Sequence, residues 1–332
     1  MSNKQWQNRK VLVTGAGGFI GSQLVEELAH NGAEVRAFVH YNSRGTLGFL
    51  SRLRPGLFSK LDVVAGDLQD LPAVTAAMKD IEIVFHLGAM VDVPHSYVNP
   101  ASVVETNVVG SLNVLIASRG ARVRRLVYAS SGDVYGTPLW IPIDEGHPLR
   151  GQSPLAASKI GAEKLVESFH RSYDLPVVTV RPFNTYGPRQ STRAVIPSII
   201  TQSLTQDVIQ LGNLDAERDF TFVDDIVEGF IVAGNTPDVE GSTFNLGFGE
   251  AIKIGDLANE IFEIIGQRVN IRVVPSLLRP EKSEVQRLLA DNRLAMEKLG
   301  WYPRVSLQDG LATTVKWISA NLQLYRSEVA QP

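Results

Sequence analysis

The chain has 332 residues, a formal net charge of −3, 44% hydrophobic residues and no cysteine. This length suits two modest domains or one large domain with an appendage. The charge gives no electrostatic basis for binding nucleic acid or an anionic membrane, and the lack of cysteine excludes disulfides, thiolate metal sites and a cysteine nucleophile. The N-terminus is polar and no apolar run approaches about 20 residues, so we expect a cytoplasmic protein.

The first motif is a strand, a glycine turn and a helix. Residues 11–14 form a short apolar run of the kind buried in parallel sheets, and Gly15, Gly18 and Gly21 follow at three-residue spacing. The next apolar residues recur at helical spacing, and residues 35–39 form a second strand. Glycine permits the tight turn and lets a pyrophosphate approach the N–H groups at the helix start. The pattern therefore predicts a dinucleotide-binding βαβ unit.

The end of the second strand bears on the choice of dinucleotide. Its sequence, VHYNSR, has no carboxylate to hold the adenosine ribose of NAD. Arg44 suits the extra phosphate of NADP, but it reads equally well as a solvated loop charge. Asp67, after a third strand at 62–65, is expected on the adenine side. We therefore expect NAD or NADP and leave the choice open.

Strands and helices continue to alternate along the first half of the chain. Apolar strands are predicted at 81–87 and 125–129, with an amphipathic helix at 102–117 between them. This alternation predicts an α/β fold with a Rossmann-type doubly wound parallel sheet that binds its ligands at the carboxyl edge.

Beyond Arg181 turn residues become frequent and strict alternation is lost, which predicts a smaller α/β substrate-binding lobe. We assign residues 1–182, with about 221–248, to the dinucleotide-binding Rossmann domain. Residues 183–220 and 249–332 are assigned to the substrate-binding lobe. Asp224 and Asp225 are expected to cap a helix that begins at Ile226. The six histidines are scattered, so no metal site is predicted.

A series of motifs resembles the extended short-chain dehydrogenase/reductase family, in its nucleotide-sugar epimerase/dehydratase branch. In chain order the motifs are GAGGFIGS, GDL, HLGA, TNVVGSLNVL, ASSGDVYG, SKIGAEKL, RPFNTYGPRQ, RDFTFVDD, NLG and RPEKSEVQRLLADNRLAMEKLGW. They cover nearly the whole chain. The stretch RPFNTYGPRQSTRAVIPSIITQ, with PIDEGHPL before it, looks most like the N-acetylglucosamine-nucleotide 4,6-dehydratases of legionaminic-acid pathways.

The resemblance implies a set of cofactor-binding residues and a catalytic set. The cofactor set comprises Gly15, Gly18, Phe19, Ile20, Gly21, Arg44, Asp67, Leu68, Leu87, Asn107 and Lys159. In the catalytic set Lys159 matches the family's Lys, Ser131 matches the residue that holds the sugar hydroxyl, and Asp133 occupies the second position of the dehydratases' acidic pair. Gly132 occupies the first acidic position, and Leu155 stands where the family has its catalytic Tyr.

Leu155 leaves three interpretations open, because an alkyl side chain cannot take a proton. The protein binds cofactor and sugar but turns over slowly, since loss of a general base typically costs 10²–10⁴-fold. Alternatively, Tyr135, Tyr97, His95 or Asp133 replaces the base, although a packed core aromatic is the better interpretation of Tyr135. Finally, the chain is a non-catalytic sugar-nucleotide binder.

The family pattern also implies substrate contacts and an activity. The expected substrate-binding residues are His95, Tyr97, Asn184, Arg193, Arg218 and Arg279, with the last two arginines clamping the diphosphate. The implied activity is a nucleotide-sugar 4,6-dehydratase acting on a UDP- or GDP-linked hexose such as N-acetylglucosamine. A 4-epimerase and a non-catalytic binder are the alternatives. Family habit also suggests a homodimer.

Overall fold

The structure is a computed structural model and describes residues 5–41 and 45–329. The strands are β1 Lys10–Thr14, β2 Glu34–His40, β3 Asp62–Gly66, β4 Ile83–His86, β5 Arg125–Ala129, β6 Val177–Pro182, β7 Asn184–Tyr186, β8 Val208–Leu211, β9 Glu217–Phe222, β10 Thr243–Leu246, β11 Ala251–Lys253, β12 Asn270–Val273 and β13 Arg287–Leu288. The helices are α1 Phe19–His30, α2 Leu71–Ala77, α3 Val93–Val98, α4 Pro100–Val104, α5 Gly110–Ala121, α6 Pro154–Tyr173, α7 Val195–Ser203, α8 Val223–Asn235, α9 Ile254–Ile265, α10 Arg293–Leu299, α11 Leu307–Ala320 and α12 Leu322–Val329.

A seven-stranded parallel sheet forms the centre of the molecule. Its strand order is β10-β6-β5-β4-β1-β2-β3, and every neighbouring pair runs parallel. Helices α1 and α8 contribute to the core on one face, and α2, α5 and α6 contribute to the core on the other. The apolar residues of β1 and β4 are completely buried, as expected for a sheet covered on both faces. The predicted doubly wound α/β fold is confirmed.

The strand order reverses at β1, which places a crevice at the carboxyl ends of β1 and β4. In the register of the sheet, Thr14 at the end of β1 aligns with Phe38 of β2 and with His86 of β4. Ligands of doubly wound sheets bind at such a reversal point, because the loops diverge to either side of the sheet there. The glycine turn after β1 opens into this crevice.

Two predicted elements differ in length from those observed. The strand predicted at 81–87 ends at His86, because the chain then turns and the Gly88 N–H donates to the Thr14 hydroxyl. The helix predicted at 102–117 extends over residues 100–121, since Pro100 suits its first turn and Arg122 ends it in the left-handed conformation. A π-helical turn at Glu105–Val109 interrupts this helix.

Within the described residues, segment 100–121 is the one helix that is long and apolar enough to cross a membrane by composition. Half of its apolar window is buried inside the protein, and Val103 and Val114 lie in the core. The core helix of an α/β sandwich has this composition, so the segment gives no independent indication of a membrane span.

The C-terminal half adds two small sheets. In one, β9 pairs with β7, β11 and β13, and in the other β12 pairs with β8. The prediction that Asp224 and Asp225 cap a helix was wrong. Helix α8 begins three residues earlier, at Val223, after Phe222, and no side chain caps it. The Asp225 carboxylate instead accepts a hydrogen bond from the Val305 N–H, which ties α8 to the segment before α11.

Candidate active site

The turn after β1 is built from glycines because no side chain fits there. Gly15 has φ +69°, and a Cβ on it would lie 2.8 Å from the Gly88 nitrogen. A Cβ on Gly21 would lie 2.2 Å from the Gly15 carbonyl oxygen. Gly18 is the N-cap of α1 and provides no side-chain cap, so the helix start presents backbone N–H groups alone. This cradle fits a dinucleotide pyrophosphate, which such N–H groups bind.

The remaining cofactor-set residues lie around this turn. Phe19 and Ile20 form the first residues of α1 and are half-buried. Leu87 approaches the Gly15 backbone, and Leu68 packs against Gly88 on the other side of the crevice. The Asp67 carboxylate accepts a hydrogen bond from the Gln69 N–H. Arg44 lies outside the described residues.

A buried hydrogen-bonded chain that the sequence analysis missed fixes the floor of the crevice. The Thr14 hydroxyl lies 2.7 Å from His86 Nδ1, and His86 Nε2 lies 3.0 Å from the Ser111 hydroxyl. Since Ser111 already donates to the Asn107 carbonyl, His86 donates from Nε2 and accepts at Nδ1. Burial, with the nearby charge of Lys159, lowers the pKa of His86 to about 3. The imidazole is therefore neutral and structural.

Asn107 connects the π-helical turn to α6. It lies in the π-helical turn, where its side-chain NH₂ donates to the Ser158 hydroxyl at 2.9 Å and to the Met90 carbonyl at 2.9 Å. Its amide oxygen accepts from the Met90 N–H. Because its donors and acceptor are all in use, Asn107 shapes the site by fixing α6 beside the loop after β4.

The catalytic set lies where β5 ends and α6 begins. The Ser131 hydroxyl accepts a hydrogen bond from the Asp133 N–H at 3.1 Å, in a short 3₁₀ turn. Helix α6 starts at Pro154 after a Ser153 N-cap, which places Leu155 and Lys159 on one face, one turn apart. Leu155 is buried. The Lys159 Nζ donates to the Ala129 carbonyl at 2.8 Å, two residues before Ser131.

Lys159 is a buried amine with one nearby carboxylate. Burial lowers its pKa to about 8, and the negative charge of Glu163, one turn further along α6, opposes this shift. Glu163 is itself committed to Arg181, whose guanidinium pairs with it in a bidentate fashion at 2.9 and 2.6 Å. The four-residue spacing of Lys159 and Glu163 indicates that these two side chains lie close together on a helix. Arg181 comes from β6, and no sequence pattern indicates its contact with Glu163.

Tyr135 belongs to the same buried network and cannot replace the missing Tyr. Its hydroxyl donates to the Asn245 amide oxygen at 2.7 Å and accepts from Arg181 at 2.7 Å. The ring is fully buried, and burial raises its pKa to about 12. The packed-aromatic interpretation of Tyr135 agrees with these contacts.

Arg218 lies within electrostatic reach of the turn after β5 that carries Asp133. Its guanidinium is buried and pairs with Glu284 at 3.1 Å. Burial and the like charge of Arg279 lower its pKa, whereas the negative charges of Glu284 and Asp133 act in the opposite direction. The structure therefore brings both Arg279 and Asp133 within electrostatic reach of Arg218, although Arg279 itself is exposed.

The other predicted substrate residues are more dispersed. Arg193 is exposed and pairs with Asp92 at 2.6 Å, at the start of α3. The Asn184 side chain donates to the Asp219 carbonyl at 3.2 Å. His95 and Tyr97 lie on α3, where His95 is half-buried.

Ser283 joins α3 to the catalytic helix and was also missed. Its hydroxyl lies 2.5 Å from the Tyr97 hydroxyl and donates to the Gln152 carbonyl, just before α6. Its partners lie 186 and 131 residues away along the chain, so no local pattern could reveal the contact.

Comparison with known proteins identifies the family of the chain. Residues 12–314 match the model of the family described as GDP-mannose 4,6 dehydratase. The chain belongs to this family. A UDP-glucose 4-epimerase from Mycolicibacterium smegmatis is 35% identical to it over 93% of this chain and 98% of the relative.

Two solved structures show the same fold. An epimerase from Methanothermobacter thermautotrophicus matches with a TM-score of 0.90 at 30% identity, over 98% of this chain and 96% of that one. DesIV, a dTDP-glucose 4,6-dehydratase from Streptomyces venezuelae with NAD bound, matches with a TM-score of 0.86 at 28% identity, over 96% and 99%. Relatives in this family are thus named both epimerases and dehydratases.

Proposed function

We propose that the protein is an NAD- or NADP-dependent nucleotide-sugar 4,6-dehydratase that acts on a UDP- or GDP-linked hexose such as N-acetylglucosamine. The observation that carries the proposal is Asp133, a carboxylate in the turn after β5 that lies within electrostatic reach of Arg218. A dehydratase needs an acidic group near the sugar to eliminate water, whereas a 4-epimerase does not.

The residues divide the work as follows. When bound, the nicotinamide supplies the oxidant for C4 of the sugar and later the reductant for C6. Ser131 holds the 4-hydroxyl, and oxidation to a 4-ketone acidifies the neighbouring C5–H bond. The Asp133 carboxylate takes the C5 proton and passes it to the departing 6-hydroxyl, so that one water leaves, and C5 takes a new proton from solvent when C6 is reduced. Because Gly132 holds no second acid, this single carboxylate performs both proton transfers.

The dinucleotide is held by the glycine turn and the start of α1. The dehydratase from Streptomyces venezuelae that contains NAD supports NAD as the cofactor. Titration with NAD and with NADP in parallel checks the choice, and at least tenfold tighter binding of one of them decides it.

The second candidate is a 4-epimerase, favoured by the name of the Mycolicibacterium smegmatis relative. The third candidate, a non-catalytic binder, is favoured by Leu155, which is buried where the family has its Tyr. The three candidates share the cofactor cradle and the arginines, so binding alone does not separate them.

The test is incubation with UDP- and GDP-N-acetylglucosamine, followed by mass and NMR analysis of the sugar. Loss of one water supports dehydration, unchanged mass with inversion at C4 supports epimerisation, and unchanged sugar with intact binding supports a non-catalytic protein. Asp133→Asn should abolish water loss, while Asp207→Asn, at an exposed turn, should leave it unchanged. Water loss that survives Asp133→Asn contradicts the assigned role.

Several broader features remain proposals. The sequence motifs support a place among the N-acetylglucosamine-nucleotide dehydratases of the legionaminic-acid type, family habit supports a homodimer, and we propose a cytoplasmic location. We also propose the two-domain division, with residues 183–220 and 249–332 holding the sugar nucleotide. Light scattering with and without the sugar nucleotide checks the dimer.

A further inference from the structure

We propose that Lys159 itself is the general base that takes the proton from the sugar's 4-hydroxyl, in place of the Tyr that Leu155 has replaced. This inference deepens the proposed function and rests on it. It concerns the first step, oxidation at C4, which dehydration and epimerisation share.

The position of the Lys159 amine supports this role. Its Nζ lies 2.8 Å from the Ala129 carbonyl at the carboxyl end of β5, the edge at which such sheets bind ligands. Ser131, the expected holder of the same sugar hydroxyl, follows two residues later. Within the described chain, Ala129 provides the one protein acceptor hydrogen-bonded to this amine. A neutral amine that donates one N–H to Ala129 keeps its lone pair free for an incoming hydroxyl.

The surroundings of Lys159 favour the neutral amine. Leu155, one turn earlier on the same face of α6, adds apolar cover where a phenol would solvate the ammonium. The Tyr128 ring face, with its centroid 5.4 Å from the amine, attracts the charged form and works against this effect. Asn107 and Ser158 are engaged with each other. Thus Leu155, which stands in place of the usual Tyr base, also leaves the Lys159 amine less solvated. Burial brings the pKa of Lys159 to about 8.

The charged and titratable groups around Lys159 are few. Glu163, on α6 itself, favours the charged amine but is neutralised by its bidentate pairing with Arg181. His86, from β4, is neutral, and burial together with the Glu163 charge raises the pKa of Tyr128, from β5. Asp133 in the turn after β5 lies within electrostatic reach of Arg218, and Glu105 of the π-helical turn is exposed.

The other candidate bases fit less well. Tyr135 is buried and held by Arg181 and Asn245. The Tyr97 hydroxyl is held by Ser283. Asp133 is needed for the C5 proton. His95 is the remaining alternative, and the pH dependence described below distinguishes it from Lys159.

The step balances without a further reactant. The Lys159 nitrogen uses its lone pair to take the hydroxyl proton, the O–H electrons form the C4=O bond, and the C4 hydrogen leaves with its electron pair for the oxidised nicotinamide. Lys159 becomes an ammonium, and it returns the proton when the 4-ketone is reduced or when product leaves.

The sign of the pH dependence tests the inference. A base must be neutral, so kcat/KM should rise about tenfold per pH unit up to pH 8 and then level off. If Lys159 served only as a cation, kcat/KM would fall above pH 8, and this result overturns the inference. A rise centred near the ordinary imidazole pKa of about 6.5 would also overturn it and assign the base to a histidine.

Two variants and one spectroscopic measurement complete the test. Lys159→Arg keeps the charge but cannot deprotonate, so it should lower kcat by about 10²–10⁴-fold and change the dinucleotide Kd by less than about threefold. Leu155→Tyr should restore a phenol and remove the rise centred at pH 8. NMR titration of ¹³C-labelled lysines in the full chain should show one resonance titrating near pH 8 that is missing from Lys159→Arg. A Lys159 resonance that stays charged through pH 10 overturns the inference even if the variants fold poorly.

Product analysis keeps the inference separate from the proposed function. Epimerisation with the predicted rise in rate would overturn the dehydratase and retain Lys159 as the base. Water loss together with a kcat/KM that falls above pH 8 would retain the dehydratase and overturn Lys159 as the base. No turnover at any pH would overturn both.

Discussion

The two ends of the crevice are constructed in different ways. The cofactor end, around Gly15 and Gly21, is made of backbone in such close contact that a single Cβ would collide with a carbonyl oxygen. The end that we propose binds the sugar (the sugar end) is made of long charged side chains from distant parts of the chain, such as Arg218 with Glu284. The first depends on a local sequence and the second on the finished fold. Substitutions should therefore affect geometry at one end and charge balance at the other.

The largest effect is expected at the sugar end, for Arg218→Ala. The change removes a buried cation and leaves Glu284 without its partner, so the Kd of the sugar nucleotide should rise about 100-fold, or about 2.7 kcal/mol. Calorimetric titration measures it. Arg293→Ala, which removes an exposed arginine paired with Asp291, is the control and should change little. A change below about threefold for Arg218→Ala would show that the diphosphate binds elsewhere.

Gly21→Ala should have the next largest effect, at the cofactor end. The added Cβ would meet the Gly15 carbonyl, so unfolding should require about 1–3 kcal/mol less free energy. Dinucleotide binding should weaken at least about tenfold. Urea unfolding and fluorescence titration measure these changes.

Gly120→Ala is the matched control, because it lies in α5 with nothing within 4 Å of the added methyl group. It should stabilise the protein by about 0.5–1 kcal/mol. Equal effects of the two glycine variants would mean that the cofactor end is not closely packed.

The pH dependence of stability tests the floor of the cofactor end. The folded pKa of His86 is lowered to about 3, so the unfolded chain binds more protons below pH 6.5. Stability from this group is present at neutral pH and lost as pH falls, by about 2 kcal/mol between pH 7 and pH 5. In urea unfolding experiments, the free energy of unfolding of His86→Gln should not show this loss between pH 7 and pH 5. His30→Gln, at an exposed site, should retain it.

The smallest effect is expected for Arg193→Ala. This arginine is 73% exposed and pairs with Asp92, and exposed ion pairs are worth at most about 1 kcal/mol. The Kd of the sugar nucleotide should therefore rise less than about fivefold. A rise comparable to that of Arg218→Ala would place Arg193 in the diphosphate clamp.

The difference between the two ends also explains what the sequence could reveal. The glycine turn was predictable because strand, turn and helix are contiguous and the geometry requires glycine at fixed positions. The parallel sheet was predictable because buried strands are apolar throughout. The N-cap of α8 was assigned wrongly because an Asp near a helix start looks the same whether it caps that helix or binds a distant N–H, as Asp225 does with Val305.

The side-chain network of the site was not predictable from local patterns. Arg181 reaches Glu163 and Tyr135 only after β6, α6 and the turn after β5 have come together. Ser283 carries no motif that indicates Tyr97 as its partner. Such contacts depend on tertiary packing. The family motifs indicated which side chains are candidates for the site, but not which of them contact one another.

The edge strand β10 has a consequence for biosynthesis. Strand β6 pairs with β5 on one side, but its other side remains open until β10 adds Thr243–Leu246, about sixty residues later in the chain. Val178 and Val180 of β6 are fully buried in the finished protein, so a nascent chain that stops before β10 displays an apolar, unpaired sheet edge. Slow translation between β6 and β10 should therefore favour aggregation, and slow translation after Leu246 should be harmless.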